Sequence, residues 1–111
     1  MQAFIKRANM KFRDMSTEMT EQEIITALYM ICPDSLYKHY KREKGYISVW
    51  YSLPNDTETD KHHLELLPDN VYIFDNGIEQ ELTDGDAFFR YHQLTVAKGY
   101  SYLWKGNPFI I

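Results

Sequence analysis

The sequence predicts an α+β fold, in which N-terminal helices pack on a small antiparallel sheet and a further helix precedes the last strand. Two observations predict it. Apolar residues repeat about every 3.6 positions before Gly45 and about every second position after it. Asn76-Gly77 then separates two alternating segments, a pattern typical of a two-residue hairpin turn. A chain of 111 residues fits one domain, so we expect residues 1–111 to fold together.

The first two helices are predicted from apolar spacing and from a start signal. Apolar residues at helical spacing predict a helix over 3–15. Thr20 and Glu23 have the spacing of a capping box, in which each side chain bonds the other residue's free backbone N–H, so a second helix begins at Thr20. Pro33 ends this helix, because the residue before a proline avoids helical geometry.

A short third helix is predicted over 34–45. Asp34 is suited to cap it, and Gly45 is suited to stop it. Tyr37 and Tyr40 would then face inward, together with Leu36.

The sheet begins after Gly45. In the stretch 46–53 one face is expected to carry Ile47, Val49, Tyr51 and Leu53, and the other Tyr46, Ser48, Trp50 and Ser52. The turn at Asn76-Gly77 sets a register that pairs Val71 with Leu82, Tyr72 with Glu81, Ile73 with Gln80 and Phe74 with Glu79.

The last helix is predicted to start at Thr83 or Asp84 and to close at Lys98 and Gly99. A final strand is expected over 100–104, followed by an apolar tail over 106–111.

Composition limits the classes of function. Net charge is −4, but residues 1–44 carry eight Lys and Arg against six Asp and Glu, whereas residues 45–111 carry four against ten. This acidity weighs against non-specific nucleic-acid binding. Cys32 is the one cysteine, so no internal disulfide can form, and we expect a reduced, cytoplasmic protein without a signal peptide, a membrane span or a cofactor. Its place on an apolar helical stripe is typical of a core side chain rather than a nucleophile.

Three histidines are candidate ligands of a metal-dependent enzyme. His62, His63 and His92 offer imidazoles, with Asp60 and Glu65 nearby in the sequence. Adjacent residues of a strand point to opposite faces, so His62 and His63 rarely share one ion. The pattern therefore favours a polar entrance to a strand, and we expect no metal at this segment.

A basic segment allows a second interpretation. Lys38, Lys41, Arg42 and Lys44 alternate with tyrosines, and three helices followed by a hairpin is the element order of a winged-helix DNA-binding protein. The third helix would enter the major groove, with these side chains on phosphates. A solvated helix end is the competing interpretation, since the helix is short and the following loop is acidic.

The leading hypothesis rests on aromatic residues. Tyr46, Trp50, Tyr72 and Phe74 fall on the sheet face opposite the aliphatic layer, where they are either covered by a helix or exposed to a partner. We expect a non-enzymatic binding module that acts through a protein partner or through self-association, with Glu79 and Glu81 at its rim. The composition suits an accessory or inhibitor protein, including one from a mobile element.

Overall fold

The computed structural model describes residues 13–100, together with the backbone of two short strands near the C-terminus. The helices are α1 (Met15–Glu18), α2 (Glu21–Ile31) and α3 (Gly85–Ala97). The strands are β1 (Leu36–Arg42), β2 (Ile47–Ser52), β3 (His62–Leu67), β4 (Asn70–Asp75), β5 (Ile78–Gln80), β6 (Tyr102–Trp104) and β7 (Asn107–Phe109). This α+β arrangement confirms the predicted fold class, and α3 precedes the last strands as expected.

The start of α2 is the one that the sequence predicts. The Thr20 hydroxyl accepts from the backbone N–H of Glu23 at 3.2 Å, and the Glu23 carboxylate accepts from the Thr20 N–H at 3.0 Å. Met19 and Ile24 are fully buried at the staple positions beside this cap. The helix predicted over 3–15 falls mostly outside the described residues, and the first described helix is the single turn α1.

The prediction of a third helix over 34–45 is wrong, because Leu36–Arg42 within this segment forms strand β1. Tyr37 and Tyr40 do share one face, as a helix would require. A β-bulge between Tyr37 and His39 produces this arrangement, since the extra residue, Lys38, brings positions three apart onto the same side of the strand. Gly45, with φ +90°, belongs to the turn between β1 and β2 rather than to a helix end.

The hairpin between β4 and β5 is confirmed. Asn76 and Gly77 have φ values of 53° and 81°, the positive values that a type I′ turn needs. Ile73 pairs with Gln80 and Phe74 with Glu79, as predicted, and the ladder ends there. The two further predicted pairs, Val71 with Leu82 and Tyr72 with Glu81, lie beyond its last rung.

The five strands form one antiparallel sheet in the order β1-β2-β3-β4-β5, so each strand pairs with the next in sequence. The inner face is mainly aliphatic, with several tyrosines, and packs against α2 and α3. Tyr91 of α3 is fully buried and donates a hydrogen bond to the Leu67 carbonyl, and Thr95 donates to the Pro68 carbonyl at 2.7 Å. Asp84 caps α3 by accepting from the Ala87 N–H, and the hydrogen bonds from Tyr91 and Thr95 hold this helix against the β3–β4 turn.

The predicted final strand over 100–104 is present in part as β6, which pairs with β7 in a separate two-stranded sheet. β7 lies within the apolar tail expected over 106–111.

Candidate protein-binding face

Four aromatic rings cross the outer face of the sheet in one row. His39, Trp50, His63 and Phe74 occupy paired positions on β1 to β4, and we call them the ring row. The ring centroids are 4.7 Å apart for His39 and Trp50, 5.5 Å for Trp50 and His63, and 4.6 Å for His63 and Phe74. Cross-strand pairs of this kind stabilise a sheet by roughly 0.2–1 kcal/mol each.

The rings of the row stand side by side. Their interplanar angles are 11°, 24° and 3°, so neighbouring rings contact each other through their faces. Side chains on a strand stand roughly perpendicular to the sheet. The row therefore presents ring edges to its surroundings, while its inner ring faces are occupied by neighbours.

The outer face keeps part of its area accessible. His39 is exposed, and Trp50, His63 and Phe74 are half-buried. The two long described helices, α2 and α3, pack on the inner face and contribute to its core. Tyr72, beside the row, keeps 37% of its area accessible.

A groove of about 480 Å³ adjoins this face at the β4–β5 hairpin. Its floor includes Val71, Leu82 and Phe88, which are apolar. Its rim includes Glu79 and Glu81, both exposed. Tyr72 also lines it, so the groove joins an apolar floor to an acidic rim.

The structure brings together most of the predicted binding residues. Trp50 and Phe74 belong to the ring row, and Tyr72, Glu79 and Glu81 line the groove. Tyr46 is half-buried and lies directly before β2, in the turn that follows β1.

Sequence reasoning missed His39 and His63 as members of the row. Alternation along β3 places His63 on the face of Trp50, a signal that was readable. His39 was missed because the segment 34–45 was predicted to be a helix.

The basic segment does not form a recognition helix. Lys38 and Lys41 are exposed on strand β1, at the edge of the sheet, and Lys44 is exposed in the turn after it. Lys41 Nζ lies 3.3 Å from a carboxylate oxygen of Glu43. Arg42 donates to the Ser16 carbonyl at 3.4 Å, which ties β1 to α1. The winged-helix docking geometry predicted for these residues is therefore not formed by this segment.

His62 is held between two carboxylates on the inner side of the sheet. Its Nδ1 lies 2.5 Å from Asp75 Oδ1, its Nε2 lies 2.8 Å from Asp56 Oδ1, and the side chain is 8% exposed. Burial acts to lower the pKa of His62, but the hydrogen bonds and charges of the two carboxylates outweigh it, so the pKa is raised. We call these three residues the His62 clamp.

The clamp uses both ring nitrogens of His62, which leaves neither for a metal ion. His63 lies on the other face of the sheet, in the ring row, and His92 lies on α3. Over residues 13–100, no group of three or more His, Cys, Asp or Glu side chains is arranged to hold a metal ion.

Cys32 packs beside the clamp. Its Sγ lies 3.9 Å from the hydroxyl of Tyr51, whose ring stacks on His62 at 5.6 Å. Burial raises the pKa of the Cys32 thiol, and this disfavours the nucleophilic thiolate at neutral pH.

The chain was also compared with known proteins. A scan against family models, a search of curated proteins and a search of solved structures each found no match to the chain. None of the helices in the described part of the chain is long and apolar enough to cross a membrane. The outer face and its groove therefore have to be interpreted from their own chemistry.

Proposed function

We propose that this protein is a non-enzymatic binding module that contacts a protein partner, or a second copy of the chain, through the outer face of its sheet. The observation that carries the proposal is the ring row, which leaves large aromatic side chains part-exposed on the face of the sheet opposite its core. Soluble antiparallel sheets usually place polar residues on such a face. Tyr and Trp are the residues most enriched at the energetic centres of protein interfaces.

The groove supports the same proposal. Aromatic anchors surrounded by a polar rim are typical of interfaces, and the Glu79 and Glu81 carboxylates would attract a basic partner during its approach. We propose Trp50 and Phe74 as anchors, Tyr72 as the link to the groove, and Tyr46 as a contact at the other end of β2. Cys32 is the single cysteine and cannot form an internal disulfide, which suits a reducing compartment, so we propose that this function is carried out in the cytoplasm.

The ring row is less suited to nucleic-acid bases. Single-stranded nucleic acids bind sheet surfaces by stacking bases on open aromatic faces. Here His39 and His63 occupy the two faces of Trp50, at 4.7 and 5.5 Å. Ring edges remain, and these suit packing against the side chains of a protein.

The test is a capture experiment with the immobilised protein in extract of the source cells, followed by affinity measurements on any protein captured. Trp50→Ala should weaken binding about tenfold or more, as expected for a central interface residue. Glu79→Lys should slow association with a basic partner, because charges at a rim act mainly on the association rate.

Tyr29→Ala is the matched control for Trp50→Ala. Tyr29 is an aromatic residue on α2 that is 41% exposed and lies away from the outer face of the sheet. Its removal should leave affinity unchanged. Equal binding by Trp50→Ala and the wild type would remove the ring row from the function, provided both variants retain the far-UV spectrum and melting midpoint of a folded chain.

A further inference from the structure

Both edges of the five-stranded sheet are open in the described part of the chain. β1 forms one edge and β5 the other, and no other described strand pairs with the outer side of either. Five of the seven residues of β1 are exposed, as are all three residues of β5. Unpaired N–H and C=O groups along a sheet edge form a template for another strand.

The two edges carry opposite charge. Residues 38–44, at the β1 edge, include four Lys or Arg and one Glu. Residues 78–84, which contain β5, include three Asp or Glu and no Lys or Arg. One sheet therefore has a basic edge and an acidic edge.

From this segregation we propose that copies of the chain associate edge to edge, with the basic β1 edge of one copy beside the acidic β5 edge of the next. Contact between two β1 edges would bring lysines against lysines, and contact between two β5 edges would bring glutamates together. Both arrangements are repulsive. The β1–β5 arrangement brings opposite charges together, and every copy of the chain supplies both surfaces.

The positions of the charged side chains on the sheet fit this arrangement. His39 and Lys41 lie two residues apart on the outer face of β1, where they pair with Trp50 and Ser48 of β2. Glu79 pairs with Phe74 on the same outer face, and Glu81 lies two residues further along. Lys41 and Glu79 therefore lie on the same side when two sheets join edge to edge with their outer faces aligned, so that their opposite charges can meet.

The contact joins two different surfaces, so it is heterologous and builds a ring or an open chain of copies. β5 has three residues, which limits the number of backbone hydrogen bonds across the contact. Exposed charge pairs add little each and are screened by salt. We therefore expect weak, reversible association that strengthens with protein concentration and weakens with salt.

Sedimentation velocity over a concentration series, at low and high salt, tests the proposal with two charge-reversed variants. Lys38→Glu/Lys41→Glu makes both edges acidic, and Glu79→Lys/Glu81→Lys makes both edges basic. Each variant alone should associate about tenfold more weakly than the wild type. An equimolar mixture should recover association, because the acidic β1 edge of one variant meets the basic β5 edge of the other.

Glu58→Lys is the control for charge reversal as such: it reverses one acidic side chain in the exposed β2–β3 loop and should leave association unchanged, whereas Glu79→Lys alone, which makes the same charge change, should weaken it. A wild type that stays monomeric at every concentration would overturn the proposal, as would a mixture that does not recover association. Association lost in Trp50→Ala but kept in both charge-reversed variants would place the contact on the outer face instead.

The lysine variant also separates this proposal from the proposed function. Glu79 and Glu81 belong to the groove as well as to the acidic edge, whereas Lys38 and Lys41 lie at the opposite edge. Lys38→Glu/Lys41→Glu should therefore lose self-association and keep the affinity for a partner that binds the groove.

Discussion

His62 and Asp75 occupy directly opposed positions on β3 and β4, with Nδ1 of the histidine 2.5 Å from Oδ1 of the aspartate. Oδ1 of Asp56, in the β2–β3 loop, lies 2.8 Å from the other ring nitrogen, Nε2. The imidazole is 8% exposed, so its charge is stabilised mainly by these two carboxylates. The stability of the fold should therefore depend on the protonation states of His62 and of the carboxylates that bind it.

The first prediction concerns pH. The folded-state pKa of His62 is raised above its ordinary value of 6.5, so the clamp's contribution is fully present below about pH 6.5 and is lost as pH rises through the folded-state pKa. The pKa of Asp56 is lowered from 3.8, chiefly by a hydrogen bond from the Leu53 N–H, so its contribution is lost as pH falls below about 4. Urea midpoints measured across pH should show both losses.

His62→Asn tests whether His62 causes the loss of stability at alkaline pH. It removes the titrating imidazole, so the fall in stability above neutral pH should disappear, while the fall in stability below about pH 4 remains. A wild-type stability that stays constant between pH 6 and pH 9 would contradict the assignment of a charged His62.

The second prediction concerns the partner carboxylate. Asp75→Asn weakens a charge-assisted hydrogen bond to a nearly buried imidazolium, and we expect a loss of about 1–3 kcal/mol in the free energy of unfolding. Asp69→Asn is the control, since Asp69 is half-exposed and has no hydrogen-bond partner among the described side chains. Equal unfolding free energies for the two variants would show that the clamp adds nothing to stability.

The third prediction concerns the β4–β5 turn. Gly77 has a φ of 81°, and a Cβ placed there would meet no atom within 4 Å. Gly77→Ala should therefore cost about 1–2 kcal/mol through backbone strain alone. Gly85, at the start of α3, has equal space and an ordinary φ, so Gly85→Ala should be neutral or stabilising. Thermal melts of the two variants should move apart by several degrees.

The fourth prediction concerns the core beneath α3. Tyr91 is fully buried and donates its hydroxyl proton to the Leu67 carbonyl. Tyr91→Phe leaves that carbonyl without this donor, and the expected cost is about 1–3 kcal/mol. Tyr37→Phe removes a hydroxyl bonded to Glu21 at 3.0 Å in an exposed setting, and should cost less than 1 kcal/mol, about the value of an exposed bond. Denaturant unfolding monitored by fluorescence compares the two.

Local signals predicted the elements that depend on local chemistry. The cap at Thr20, the turn at Asn76-Gly77 and the cap at Asp84 each need only a few adjacent residues, and all three are present in the structure. The prediction of a helix where β1 forms was wrong for a physical reason. A bulged strand brings residues three apart onto one face, and this imitates the period of a helix.

The candidate site was predictable in part. Trp50 and Phe74 follow from alternation within their own strands, so their common face could be read from the sequence. The row that joins them depends on the register of β3, and the groove depends on where α3 packs. These are long-range relationships, which no local pattern encodes. The His62 clamp was missed for the same reason, because Asp75 reaches His62 only through strand pairing.

The order of the strands has a consequence for how the chain acquires its structure. Every strand of the large sheet pairs with its neighbour along the chain, so each rung closes a short loop, and such topologies fold quickly. The contacts that join the two ends of residues 13–100 are different in kind, since α2 packs against α3, Tyr100 donates to Glu23, and the Arg13 N–H lies 3.0 Å from the Gly99 carbonyl. During synthesis the meander can therefore assemble while the later residues are still emerging from the ribosome. The contacts between the two ends of residues 13–100 can form only after α3 is complete.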